Sequence, residues 1–183
     1  HWQPASGARV YFVENHDLPM LDISVEFPAG AGYDQPAKSG VAGMAQRMLT
    51  SGADGMSEDE VARRIADIGA QLGGRFDPDR AGLSLRTLSS ARERKQALDI
   101  LARSLRAPSF PAEVLEREKV RLIGSLKEAD TKPDTIVSRT FYRLAYGEHP
   151  YALHSSGEVD SLKGIAREDL LAFHRRHYAA SHA

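Results

Sequence analysis

Residues 40–52 read Gly-Val-Ala-Gly-Met-Ala-Gln-Arg-Met-Leu-Thr-Ser-Gly and predict the inner helix of the fold. Apolar residues recur in this stretch at helical spacing, so one face of the helix is expected to pack into a core. They are Val41, Met44, Ala45, Met48 and Leu49. Gly52 offers a C-terminal stop, because glycine readily adopts a left-handed conformation. The remaining polar or small positions of the helix are Gly43, Gln46 and Arg47.

The strand patterns predict a mainly antiparallel sheet. Residues 21–27 alternate strictly between apolar and polar side chains, as a half-buried antiparallel strand does. Residues 9–14 are a run of β-formers and are expected to pair with that strand. Residues 71–76 and 82–88 are typical of a hairpin around the turn at 77–80.

Helical patterns lie between and after these strands. Ser57 and Glu60 have the spacing of a capping box, which predicts a helix that ends at Gly69. Further helices are predicted from Ser90 to Pro108, Pro111 to about Asp130, Asp134 to Gly147 and Arg167 to Tyr178. Apolar residues expected to face the core include Leu98, Leu101, Leu105, Ile136, Val137, Phe141, Leu144, Leu170, Leu171 and Phe173. The element order predicts an α+β fold, with the helices on one face of the sheet.

Composition excludes several classes of function. A chain of 183 residues is long enough for one domain with a substantial core, so we expect a single domain over residues 1–183. The 24 basic and 25 acidic residues nearly balance, which gives no electrostatic reason to expect nucleic acid. The sequence has no cysteine, which removes thiol catalysis and thiolate metal sites. No segment approaches the roughly eighteen apolar residues of a membrane span.

The inner helix resembles the opening helix of the pitrilysin/insulinase family of zinc metallopeptidases, which carries the motif HxxEH. Gly40, Ala42, Met48 and Leu49 match the phrase around that motif. Other matching phrases are residues 27–32 (Phe-Pro-Ala-Gly-Ala-Gly), 69–73 (Gly-Ala-Gln-Leu-Gly), 110–113 (Phe-Pro-Ala-Glu) and 146–151 (Tyr-Gly-Glu-His-Pro-Tyr), the last followed by Gly157. The resemblance covers essentially the whole chain and implies the N-terminal half-domain of a family member.

The chemical positions of the motif are all substituted. Gly43 stands where the resemblance implies the first zinc histidine, Gln46 where it implies the general-base glutamate, and Arg47 where it implies the second histidine. The third ligand, a glutamate, would fall at about Gly124 or Ser125. Glycine offers no ligand, glutamine cannot take up a proton, and a guanidinium repels a dication.

The resemblance therefore implies a non-catalytic member with no metal, no cofactor and no catalytic residue. It implies a subunit of the bacterial two-subunit branch, which encloses unfolded peptide and assembles as a heterodimer with an HxxEH-bearing catalytic chain. It further implies the periplasm or cell envelope as the location, one more strand after Ala183, and a second half-domain of the same topology beyond it.

Two other functions remain open. The chain is an active zinc peptidase if the metal site is displaced, for example to His149, His154, His174 or His177. It is a scaffold if it resembles the core proteins of respiratory complexes, which share this family's fold and serve assembly.

In either case Arg47 puts a fixed positive charge on the inner helix, and we hypothesise that it holds a carboxylate of the same chain or of a partner.

Overall fold

The computed structural model describes residues 1–183 and shows one antiparallel sheet with helices on one face. The strands are β1 (Met20–Phe27), β2 (Gly52–Ala53), β3 (Met56–Ser57), β4 (Gln71–Phe76) and β5 (Ala81–Leu88). The helices are α1 (Val41–Arg47), α2 (Glu58–Asp67), α3 (Ala91–Arg106), α4 (Ala112–Ala129), α5 (Pro133–Tyr146), α6 (Val159–Lys163) and α7 (Arg167–His177). The α+β class is as predicted.

Strand β5 lies at the centre of the main sheet, in the order β1-β5-β4, and both of its pairings are antiparallel. Its side chains alternate, because successive residues of a strand point to opposite faces. Ala81, Leu83, Leu85 and Thr87 are buried under the helices. The other face of the sheet carries no helix and is open to solvent. Strands β2 and β3 form a separate two-stranded ribbon.

Helix α1 lies in the middle of the core, packed against α7 and the sheet. Met44 and Ala45 on α1 are 0% exposed, as the helical spacing predicts, and Met48 and Leu49, just beyond the end of the helix, are also 0% exposed. The predicted C-terminal stop at Gly52 is wrong, because the helix ends at Arg47 and Gly52 belongs to β2. Burying a leucine or methionine side chain stabilises the folded state by roughly 1.5–3 kcal/mol. This helix therefore anchors the fold.

Two local predictions are confirmed in detail. The Ser57 side chain accepts a hydrogen bond from the Glu60 backbone amide at 3.2 Å and caps α2. In the turn of the β4–β5 hairpin, the Asp77 carboxylate accepts from the backbone amides of Asp79 and Arg80, each at 2.8 Å. Both are short-range interactions that the residue spacing encodes directly.

The predicted pairing of residues 9–14 with β1 is wrong. Strand β1 pairs along its whole length with β5, from Met20 opposite Leu88 to Phe27 opposite Ala81. The apolar residues of β1 find their in-register partners there, and a register set by a buried face is strongly specified. The segment 9–14 makes one isolated bridge, between Val10 and Trp2, and its Arg9 amide donates to the Ala183 carbonyl at 2.9 Å.

Several side chains predicted to face the core are exposed instead. Leu98 is 37% exposed, whereas Ala97, Ile100 and Leu101 of the same helix α3 are buried. Helix α5 buries no residue at all. Its apolar residues Ile136, Val137, Phe141 and Leu144 are 48%, 66%, 63% and 80% exposed. The prediction that Asp134 begins and caps this helix is also wrong, because α5 begins at Pro133 with Lys132 as its N-cap, and Asp134 lies in its first turn.

The turn that leads into α4 holds an unusual conformation. Phe110 is fully buried with φ of 44°, a left-handed backbone that bulky side chains rarely adopt. The Arg167 guanidinium donates to the carbonyls of Ser109 and Phe110 at 2.9–3.2 Å, which holds this turn against the start of α7.

Among all the helices, none has both the length and the hydropathy needed to cross a membrane.

Candidate functional site

The N-terminus of α1 is fixed by a buried carboxylate. Gly40 precedes the helix with φ of 97°, a left-handed conformation that glycine adopts without strain. The Asp34 carboxylate accepts from the backbone amides of Gly40 at 2.6 Å and Ala42 at 2.8 Å. Burial raises the pKa of Asp34 to about 6, although the two backbone hydrogen bonds act in the opposite direction. Sequence analysis missed this residue, whose only signal is an acidic side chain shortly before a helix.

Neighbouring residues leave little space for a side chain at Gly43. A Cβ at Gly43 would lie 3.2 Å from the carbonyl oxygen of Ser155 and 3.4 Å from two ring carbons of Phe76. Contacts this short are tighter than ordinary van der Waals packing. A larger side chain at residue 43 therefore requires the loop at Ser155 or the Phe76 ring to move.

Gln46 is directed onto the sheet. Its Nε2 atom donates to the carbonyl oxygen of Gly82 at 3.4 Å, and its amide lies over Gly74. A side chain at Gly74 would collide with that amide. The glutamine thus binds the main chain of the hairpin, and an amide of this kind can neither accept a proton nor activate a water as a carboxylate does.

Arg47 and Gly124 both lie at the surface. Arg47 makes no ion pair and no hydrogen bond within residues 1–183, so no carboxylate among these residues holds it as hypothesised. Gly124 has open space around it, with nothing within 4 Å of a Cβ placed there. A glycine in mid-helix can mark the close approach of another backbone, but no backbone of residues 1–183 approaches Gly124.

These residues do not fit a zinc ion. Structural and catalytic zinc sites in proteins use thiolate, imidazole and carboxylate donors. Here a glycine, an amide already donating to Gly82, an exposed guanidinium and a second glycine occupy the corresponding positions. No chemical step can be assigned to a metal held by Gly43, Gln46, Arg47 and Gly124.

The four histidines of the displaced-site alternative are separately engaged. The Nε2 atom of His174 is 2.8 Å from the Leu105 carbonyl, and the Nδ1 atom of His177 is 3.2 Å from the Pro28 carbonyl. Burial lowers the pKa of both rings. The two imidazoles therefore bind carbonyls of different segments, although they are one helical turn apart.

The other two histidines shape the loop after α5. His149 Nδ1 accepts from the Tyr151 amide and His154 Nδ1 accepts from the Ser156 amide, each at 3.2 Å. Nowhere in residues 1–183 do three or more histidine, aspartate or glutamate side chains lie close enough together to hold a metal ion. The structure thus offers no donor set for the displaced site.

Ion pairs connect helix α5 to the rest of the domain. Arg139, on its inner side, donates to the carboxylates of Asp130 and of Glu158, the latter at 2.5 Å. Those hydrogen bonds raise the pKa of Arg139 further above its usual value. The outward side carries Val137, Phe141 and Leu144, so the apolar pattern read as a core face is in fact a surface stripe.

Comparison with known proteins places this arrangement in a family. Residues 9–158 match the insulinase family, peptidase family M16. The chain belongs to that family. It is similar to a crystal structure of an M16 peptidase inactive domain from Pseudomonas fluorescens, with a TM-score of 0.96 and 36% identity, over 99% of this chain and 44% of that one. It also has the fold of pitrilysin, with a TM-score of 0.79 and 22% identity, over 97% of this chain and 19% of that one.

Curated M16 relatives have several roles. The chain is 26% identical to a probable mitochondrial-processing peptidase subunit beta of Arabidopsis thaliana, over 96% of this chain and 33% of that protein. It is 21% identical to cytochrome b-c1 complex subunit 1 of Bos taurus, over 91% of this chain and 34% of that protein. The chain thus spans about a third of the length of these curated relatives.

Proposed function

We propose that this chain is the N-terminal half-domain of a non-catalytic M16 subunit or domain, which encloses peptide substrate and assembles with a zinc-bearing catalytic partner. The observation that carries the proposal is the inner helix. On an M16 fold, its chemical positions hold Gly43, Gln46 and Arg47, and the Gln46 amide is committed to the Gly82 carbonyl. The 36% identity to an M16 inactive domain supports the same role.

The sheet offers surfaces for an extended peptide. Within residues 1–183, strand β4 has β5 as its single neighbour, and its outer edge offers main-chain groups for hydrogen bonding. The open face of the sheet adds a second, polar surface on the side away from the helices. Both features support a role in enclosing peptide that needs no catalytic group.

The stripe of Val137, Phe141 and Leu144 on α5 supports assembly. These residues are at least 63% exposed and recur at i, i+4 and i+7, the spacing at which a helix face anchors to a partner. Exposed apolar patches of this kind mark interaction surfaces in soluble proteins. The partner proposed from the family resemblance is an HxxEH-bearing chain, and the proposed location is the periplasm or cell envelope.

The test is purification of the complex under native conditions followed by metal analysis of each chain. We expect a co-purifying protein with HxxEH, zinc in that protein, and no stoichiometric zinc in this one. Stoichiometric zinc in this chain after separation would refute the proposal and favour the displaced site. The variant His174→Ala/His177→Ala is the control, because loss of zinc from it would locate such a site.

The role of Arg47 can be separated from folding. Because Arg47 is exposed and unpaired in this chain, Arg47→Leu is expected to leave the unfolding temperature of the isolated chain unchanged. If the guanidinium holds a carboxylate of the partner, the same variant weakens co-purification, and Arg47→Lys recovers part of it. Unchanged assembly in Arg47→Leu would show that the residue is only a solvated charge.

A second candidate is a scaffold subunit, which the likeness to cytochrome b-c1 complex subunit 1 favours. It predicts co-purification with membrane-bound redox subunits in place of an HxxEH protein. Mass spectrometry of the purified complex distinguishes the two.

A further inference from the structure

Helix α5 and the turn that follows it touch the rest of the domain at few points. In α5 only Thr135 and Arg139 are not exposed. The helix packs mainly against the short 3₁₀ turn Pro150–Ala152. This segment therefore gains little of the apolar burial that holds the other helices in place. A segment with few buried apolar contacts opens locally at a lower free energy than the core does.

Aromatic side chains join α5 to that turn. The Tyr146 ring, at the end of α5, stacks on the Tyr142 ring with centroids 5.7 Å apart, and it meets the Tyr151 ring edge-on at 5.7 Å. The His149 ring lies edge-on to Tyr151 at 4.6 Å. Because these rings contact one another, α5 and the turn are expected to move together.

Polar contacts hold the segment against the domain. The Tyr151 hydroxyl donates to the Asp79 carboxylate in the β4–β5 turn, and this hydrogen bond raises the pKa of the hydroxyl. The Arg139 guanidinium donates to the Glu158 carboxylate at 2.5 Å. Asp79 and Glu158 both lie outside the segment, so each contact joins it to the body of the domain.

The chain is anchored on both sides of the segment. Before it, α4 ends in a turn in which the Lys132 amide donates to the Ala129 carbonyl at 3.0 Å. After it, Gly157 adopts φ of 81° and packs so closely that a Cβ there would lie 2.4 Å from the Ser39 carbonyl oxygen. We therefore place the moving part between Lys132 and Gly157.

We infer that residues 133–153 form a flap that opens from the domain as one unit, with the Tyr151–Asp79 and Arg139–Glu158 contacts as its latches. The closed position is the one in which both latches are formed. Opening breaks the two polar contacts but exposes little buried apolar surface, because α5 buries none of its side chains.

The flap carries the exposed stripe of Val137, Phe141 and Leu144. A ligand shifts an equilibrium between two positions only as far as it binds one of them better than the other. A partner that docks on this stripe therefore acts on the same element that the latches hold. Only this consequence rests on the proposed assembly, whereas the flap itself does not.

The test is amide hydrogen exchange, measured by NMR on the isotope-labelled chain at pH 7. Amides of the flap should exchange about tenfold or more faster than those of α4 and α7. Tyr151→Phe keeps the ring and removes the hydroxyl, while Asp79→Ala removes the acceptor. Each variant should raise exchange about tenfold or more throughout the flap, α5 included, and leave α4 and α7 unchanged. Tyr142→Phe, the same change at a tyrosine that is 50% exposed, is the matched control and should alter nothing.

A rise confined to the residues next to Tyr151 would overturn the inference, because it would show that α5 does not move with the turn. So would exchange in α5 as slow as in α4, or unchanged exchange in Tyr151→Phe. Both variants remove one contact, so the double variant should exchange no faster than Asp79→Ala alone, and additive increases would contradict the latch. If circular dichroism shows that Asp79→Ala is unfolded, Tyr151→Phe makes the same prediction with a smaller change. These outcomes are independent of co-purification with an HxxEH protein, which tests the proposed function.

Discussion

The buried carboxylate of Asp34 predicts an unusual dependence of stability on pH. Its pKa is about 6 in the folded protein, against an ordinary value of 3.8 in the unfolded chain. Between those values the folded state holds a proton that the unfolded state releases, so raising the pH removes stability. The shift of about two pKa units corresponds to roughly 3 kcal/mol, which is lost mostly between pH 4 and 6.

The variant Asp34→Asn isolates this effect because asparagine does not titrate. The asparagine keeps an acceptor oxygen but places its amide NH2 group among the backbone donors of Gly40 and Ala42. The resulting loss of unfolding free energy does not vary with pH. The difference in unfolding free energy, wild type minus variant, should therefore fall by about 2–3 kcal/mol from pH 4 to pH 7.

Urea unfolding followed by far-ultraviolet circular dichroism measures that difference, and it is preferable to fluorescence because the single tryptophan, Trp2, is 54% exposed. Asp22→Asn serves as the control of opposite sign. The hydrogen bond from Arg86 lowers the pKa of Asp22. For Asp22→Asn, the difference in unfolding free energy, wild type minus variant, should therefore rise with pH. A difference for Asp34→Asn that is flat or rising with pH would refute the assignment of a proton to this buried carboxyl.

Three further predictions concern the backbone and α5. Gly82→Ala should destabilise the chain by about 2 kcal/mol or more, because the new Cβ collides with a β1 carbonyl. Gly124→Ala, which lies in open space, should stabilise α4 by about 1 kcal/mol. Thermal unfolding measures both variants, and equal effects on stability would contradict the prediction. Arg167→Met keeps the apolar stem but leaves the carbonyls of the Phe110 turn without their donor, so a loss of about 1–3 kcal/mol is expected in urea. Arg139→Met should raise amide hydrogen exchange in α5 with little change in α4 or α7, and unchanged exchange in α5 would show that the ion pairs do not hold it.

Residue patterns over short stretches of sequence predicted most of the helices and strands. The cap of α2 and the β4–β5 hairpin depend on residues a few positions apart, so the sequence alone predicts them. The phrase around Gly43 and Gln46 resembles the opening helix of the insulinase family, and membership of that family is confirmed by the match over residues 9–158. The cap and the hairpin depend on local spacing, which requires no knowledge of the fold, whereas the family was inferred from the resemblance of several phrases of the sequence.

The sequence could not predict contacts between distant segments. Residues 9–14 have the composition of a strand, yet β1 pairs with β5, some sixty residues further on, because that register buries both apolar faces. The periodicity of α5 showed that Val137, Phe141 and Leu144 share a face but not that the face is exposed. Periodicity defines a stripe on a helix, and only packing determines what covers it.

Residue identity therefore determined the α+β class and the inner helix, together with the lack of histidine, aspartate and glutamate in residues 40–52. Tertiary structure decided that Gln46 binds the Gly82 carbonyl, that Asp34 is buried against the start of α1, and that ion pairs link neighbouring strands on the open face of the sheet. The physical reason is that hydrogen bonding, desolvation and steric exclusion act over a few ångströms in space, between residues that lie far apart in the chain.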